Sequence, residues 1–153
     1  ALFHCVGAIA PIKTSLYQFK SNNSVQVNSI IQAKNYLIGA SLGDMRLIYL
    51  QRHQFPYLKI VSSHILNIRL LANNRIDLIA FDEASFAQKL QDENLDASLF
   101  ERVFRLDELS AQTYMAFSPG SDTDLIRAFR NGLKAIKMNG IYNQIQMRYF
   151  NIE

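Results

Sequence analysis

The chain has 153 residues, 49% of them hydrophobic and 19% charged, with a mean hydropathy of -0.02. That apolar content can build a core and excludes wholesale disorder, and the length fits one ordinary domain or two very small ones. Lys and Arg number 16 against 13 Asp and Glu, a net charge of +3, but the basic residues (Lys13, Lys20, Lys34, Arg46, Arg52, Lys59, Arg69, Arg75) are scattered, so no nucleic-acid footprint is expected.

No apolar run approaches the roughly 18 residues of a spanning helix. A single cysteine, Cys5, excludes an internal disulfide framework and any multi-Cys zinc site. Its neighbours Phe3 and Val6 are apolar, so a buried thiol is expected. The segment from Ala1 to Ala10 has no basic start, and His4 and Gly7 break its apolar run, so it does not read as a signal peptide. His4, His53 and His64 are far apart and lack a carboxylate at metal spacing. No zincin, nucleophile-elbow or phosphate-loop pattern occurs. Neither a metal nor a cofactor is expected.

The first twenty residues are apolar and punctuated by Gly7 and Pro11. Thr14 to Lys20 reads as a strand, and Ser21 to Ser24 as a polar turn. Val27, Ile30 and Ile31 suggest a short helix ending near Lys34. Tyr36 to Ser41 is an apolar strand. Gly43 follows, and Asp44 opens a helix that Pro56 ends; an Asp at that place caps free N–H groups. Leu58 to Ser62 is another strand, and Ser62 or Ser63 caps a helix with Ile65, Ile68, Leu71 and Ala72 on one stripe. Asn73 and Asn74 close it.

Ile76 to Phe81 is almost wholly apolar, as a central parallel strand is, and Asp82 lies at its carboxyl end. Glu83 to Asp92 reads as a helix. Phe100 to Leu106 and Thr113 to Ser118 read as strands. Ser121 or Asp122 begins a long helix to about Met138, with Leu125, Ile126, Phe129, Leu133 and Ile136 on its stripe. After Gly140 a last helix places Ile141, Ile145 and Tyr149 on one face. Strands alternating with helices of about three turns predict an α/β fold, a mostly parallel sheet with helices on both faces. Ser21 to Ser24 and Leu106 to Gln112 are the candidate crossings between two lobes.

The stretches GASLGD, NNRIDLIAFDE and TYMAFSPGSDTDLIRAFRNGLKAIKMNGIYNQIQMRYF resemble the second half of a bacterial extracellular solute-binding protein of family 3. Arg75-Ile76-Asp77, Asp82, Gly140-Ile141-Tyr142 and Arg148-Tyr149-Phe150 carry the likeness. FHCVGAIAPIKTSLYQFK resembles that family's return strand. The resemblance implies the type II periplasmic binding fold, with the opening part of lobe 1 absent from this chain. Residues 1–20 then form the return strand of lobe 1 and the first crossover, 21–112 form lobe 2, and 113–153 form the second crossover and the C-terminal helices of lobe 1.

The resemblance also implies periplasmic binding of a small polar solute, an amino acid or a similar molecule, without catalysis. The partner would be the membrane permease of an ABC-type transporter, or a sensor domain, and a secretion signal would stand upstream. A sensing or assembly module without a transport role is the alternative, and a fold-related enzyme a more distant one. The expected ligand contacts are Ser41, Gly43, Asp44 and Asp82. In the family a Ser or Thr at the strand-to-helix turn helps hold a substrate carboxylate; here Asp44 stands at the helix start, where a carboxylate beside an anionic ligand is unfavourable. Ser41 and the N–H groups of Gly43 and Asp44 remain possible donors, and a plain turn glycine and N-cap are the alternative. Asp82 matches the family's amine-binding Asp, and it can equally cap the helix from Glu83. Asp77 reads as a structural turn residue. Tyr17, Phe81 and Tyr114 are placed to stack on a ligand. Apolar residues such as Phe129 and Leu133 would be left on an exposed lobe 1 face, which predicts a homodimer through those helices.

Overall fold

The computed structural model describes residues 2–22 and 24–150. It divides into two compact units. Lys13–Ser110 forms one, and the residues up to Ile12 with those from Ala111 onward form the other.

The Lys13–Ser110 unit is a five-stranded sheet with helices on both faces. Its strands are β2 (Thr14–Phe19), β3 (Ile38–Ser41), β4 (Leu58–Val61), β5 (Leu78–Asp82) and β6 (Phe100–Arg105), in the spatial order β4-β3-β5-β2-β6. β3 pairs in parallel with β4 and with β5. β2 is antiparallel to both β5 and β6, so it alone runs against the other four. Four of the five strands thus run the same way, and the reversed one, β2, stands next to the β6 edge and makes the sheet's antiparallel pairings. β2 lies within this sheet, and its residues Thr14 to Gln18 are all buried.

The period of two sorts the core into two layers. Leu16, Ile38, Ala40, Leu78 and Ala80 point to one face and pack with Leu47 and Leu50 of α2 (Met45–Arg52) and Ala33 of the one-turn α1 (Ile30–Ala33). Tyr17, Ile79 and Phe81 point to the other and pack with Ile68 and Leu71 of α3 (His64–Ala72) and Phe86 and Leu90 of α4 (Glu83–Asp92). The apolar run Leu78–Phe81 serves both layers at once, which is why it carries no polar alternation.

The helix ends follow local chemistry. Asp44, Ser63 and Asp82 each cap a helix by accepting a backbone N–H, from Arg46, Leu66 and Ser85. α2, α3 and α4 all end alike. Gln54, Asn74 and Asn94 take left-handed backbone angles, and the next N–H returns to a carbonyl five residues back: Phe55 to Leu50, Arg75 to Leu70, Leu95 to Leu90. Asp77 is structural. Its carboxylate accepts from the Leu37 N–H at 2.8 Å and the Asn22 amide at 3.2 Å. Asn23, inside the polar turn expected at Ser21 to Ser24, lies outside the described residues. Two short 3-10 turns, Ala97–Leu99 and Asp107–Leu109, flank β6.

The other unit pairs β1 (His4–Ile12) with β7 (Ala111–Phe117) as an antiparallel ribbon with two register shifts. α5 (Thr123–Met138) starts on the Asp122 cap, and α6 (Ile141–Phe150) follows the Gly140 turn. Side chains from both helices bond to carbonyls of β1: Arg130 to Cys5, Lys137 to Ala8 and Gln146 to Ile9. Among the described residues of this unit only Ala10, Ile126 and Gln146 are buried. Cys5 is exposed, contrary to the expectation from its apolar neighbours, because this ribbon has too little packed around it to cover the strand end. The Tyr149 side chain, expected on the stripe of α6, lies outside the described residues.

Candidate functional site

β3 and β5 are parallel neighbours, with Ile38 beside Leu78 and Gly39 beside Ile79. Their carboxyl ends therefore lie at the same rim of the sheet, the place where open α/β sheets present ligand-binding turns. Ser41 ends β3 and Asp82 ends β5. The structure brings the Ser41–Asp44 turn and Asp82 to one rim.

The turn after β3 is tight. The Asp44 N–H donates to the Ser41 carbonyl at 3.2 Å, and Gly43 holds a φ of 78°, which a residue without Cβ adopts freely. The Asp44 N–H, one of the anticipated donors, is thus already paired. The Asp44 carboxylate accepts the Arg46 N–H at 2.7 Å and so fills the N-terminus of α2 itself. The same carboxylate takes Arg46 Nε at 2.9 Å and Nη2 at 2.5 Å. Burial works against the charged form of Asp44, but the hydrogen bonds from Arg46 outweigh it and hold the carboxyl below its ordinary value.

Three further residues complete the cluster, and none was singled out from sequence as a ligand contact. His64, the first residue of α3, places Nε2 3.2 Å from Asp44 Oδ2 and Nδ1 2.9 Å from Ser41 Oγ. Asn67, one turn later, donates to Ser41 Oγ at 3.1 Å. Arg46 lies over the Phe81 ring, with Cζ 5.0 Å from its centroid, and His64 meets the same ring edge-on at 5.7 Å. Burial and the Arg46 charge together hold the His64 pKa below its ordinary value despite the Asp44 carboxylate. The signal for this grouping was the spacing His64-x-x-Asn67 just after β4. It puts both side chains on the α3 face that packs over Ser41 and Phe81.

The space left among Ser41, Asp44, Arg46, His64, Asn67 and Phe81 is about 10 Å³, enough for one water. Asn67 Oδ1 is buried with no hydrogen-bond partner. Asp82 caps α4: its Oδ1 accepts the Ser85 N–H at 3.0 Å and the Ser85 hydroxyl at 2.9 Å. Next to it Glu83 accepts from Ser15 at 2.5 Å, Arg105 at 3.0 Å and Arg102 at 3.1 Å. Among the described residues there is no group of three side chains able to hold a metal ion, and no helix is long and apolar enough to cross a membrane.

The fold is that of periplasmic-binding-protein-like domains. A histidine kinase sensor domain with similarity to periplasmic binding proteins superposes with a TM-score of 0.73 at 17% identity, over 97% of this chain and 63% of its own. The second substrate-binding domain of GlnP from Lactococcus lactis, in an open conformation, gives 0.66 at 21% identity, over 99% and 62%. The arginine-, lysine- and histidine-binding protein ArtJ from Geobacillus stearothermophilus gives 0.70 at 16% identity, over 99% and 63%. The chain thus spans a little under two thirds of the length of each. No family model matches the sequence, and no curated protein matches it.

Proposed function

We infer that the chain is part of a solute-binding protein of the extracellular family 3 type, which binds a small polar solute, an amino acid or a similar molecule, and catalyses nothing. The observation that carries this reading is the shared rim: in a fold of this class, the Ser41–Asp44 turn and Asp82 stand at the carboxyl ends of adjacent parallel strands. Asp82 has a carboxylate suited to a solute ammonium. Similarity to substrate-binding domains, one of them the second such domain of a putative amino acid ABC transporter, supports a transport role, with a membrane permease as partner and a periplasmic or extracellular location. The sheet unit is lobe 2 and the ribbon with α5 and α6 is part of lobe 1 in this reading; β2, expected within residues 1–20 as part of lobe 1 and the first crossover, goes with lobe 2 instead. The apolar face of that ribbon unit supports a homodimer.

A second reading is favoured by one observation. The polar groups beside Ser41 are bonded to each other, and the room left is about one water. That suits a sensing or assembly module that holds no solute, and a histidine kinase sensor domain is among the structures it resembles.

Thermal melting of the chain against amino acids, organic acids and polyamines separates the two. The binding reading expects at least one solute to raise the melting temperature, because a ligand that binds only the folded form stabilises it. No shift with any of them leaves the sensing or assembly reading.

A further inference from the structure

Arg46 occupies a site rather than merely decorating a helix. Its guanidinium is gripped at two points by the Asp44 carboxylate and lies on the face of Phe81. Carboxylate below and aromatic face alongside are the two elements that recognise a guanidinium or an ammonium. Both partners are sheltered: the side chains of Arg46 and Asp44 are only 17% and 8% exposed. His64 closes one flank, bonded to Asp44 and edge-on to Phe81. Asn67, whose buried Oδ1 is an acceptor with no partner, lines the same small cavity.

We propose that Asp44 and Phe81, flanked by His64, form a cation subsite, and that Arg46 is its resident occupant. The subsite takes the guanidinium or ammonium end of a solute, and it does so only when Arg46 swings out. An anion is disfavoured there, because the Asp44 carboxylate already caps α2 and would repel a second negative group. Arg46 sits two residues from Asp44 in the same chain, so it competes at a high effective concentration. A solute's apparent affinity is lowered by the fraction of time Arg46 is seated. The contact is therefore an internal brake on the site.

The proposal rests on the solute-binding reading and sharpens it to a ligand class. Its test is chemical replacement. Arg46→Ala empties the subsite, and Arg46→Gln is a second variant that keeps more of the side-chain volume. Each is melted with and without N-methylguanidinium at low millimolar concentration, beside the unsubstituted chain and Asp44→Asn/Arg46→Ala.

The expected result is a rise of about 3 °C in the Arg46 variants at roughly tenfold excess over Kd. The unsubstituted chain and the double variant should not move. Absence of the rise in both Arg46 variants, or an equal rise in the double variant, overturns the subsite. The solute panel on the unsubstituted chain is a separate measurement, so a failure of the binding reading is told apart from a failure of the subsite.

Discussion

Gly39 lies directly beneath Asn67. A Cβ on Gly39 would come within 2.6 Å of Asn67 Oδ1 and 2.4 Å of Ile76 Cδ1. The strand that ends in Ser41 is thus pressed against α3 by the absence of a side chain. That closeness lets Asn67 reach Ser41 Oγ one strand position pair further on. Gly39→Ala should destabilise the chain by about 1–3 kcal/mol, the usual cost of overpacking a filled core. Urea unfolding reads this as a lower midpoint with an unchanged slope. An unchanged midpoint would mean that α3 does not hold its place over β3.

The fold was legible wherever its cause is local. The caps at Asp44, Ser63 and Asp82 and the apolar run Leu78–Phe81 mark helix starts and a central strand without any knowledge of partners. What sequence could not supply is non-local. β1 pairs with β7 across about a hundred residues, and its register shifts leave no clean alternation. The reversal of β2 is a matter of which strands it joins, not of its own pattern. Cys5 failed for the same reason: apolar neighbours in sequence say nothing about what covers them in space.

The candidate site was half legible. Ser41, Gly43, Asp44 and Asp82 could be picked out from the ends of apolar strands. Arg46 read only as one of the scattered basic residues, and His64 as a histidine without a carboxylate at metal spacing. Their meeting over Phe81 depends on how α2 and α3 splay from neighbouring strands.

The charged cluster makes stability depend on pH in a stated direction. The folded pKa of His64 is held below 6.5. The unfolded chain therefore takes up that proton first, and stability falls as pH drops from the ordinary histidine value through the folded one. Asp44 and Glu83 are also depressed, from 3.8 and 4.5; for Glu83, the bonds from Arg105 and Ser15 overcome the effect of burial. Their contribution is complete above those values and is lost as pH falls through the folded ones. Two steps are expected in unfolding midpoints measured between about pH 8 and pH 3. His64→Gln should remove the upper step and leave the lower. The upper step is small, since the His64 side chain is 44% exposed. Persistence of the upper step in His64→Gln would assign it elsewhere.

Gln54 ends α2 with a φ of 57°, a conformation in which a Cβ crowds the backbone. Asn74 and Asn94 do the same job with a residue better suited to it. Gln54→Gly relieves the strain and should stabilise the chain by about 0.5–1 kcal/mol. The side chain is exposed, so little packing is lost. Thermal melting should show a rise of about 2–3 °C for a chain of this size. A fall would mean that the flexibility glycine adds to the unfolded chain outweighs the strain removed.

The ribbon unit carries the last prediction. Phe129 is 45% exposed and meets Phe117 edge-on at 5.2 Å. With Met115, Leu133 and Ile136 it borders an apolar groove of about 400 Å³. Leu125, Ile141 and Ile145 are exposed in the same unit. A two-stranded ribbon is marginal without further packing, and an apolar surface of this kind favours association. A second copy of the chain covering the groove gives both copies the same relief. Sedimentation at micromolar to millimolar concentration should show a dimer that dissociates on dilution. Phe129→Asp should shift it to monomer while far-UV circular dichroism is retained, because Phe129 lies at the surface of the unit. A monomer at the highest concentration in the unsubstituted chain overturns the prediction. So does a dimer that Phe129→Asp leaves intact.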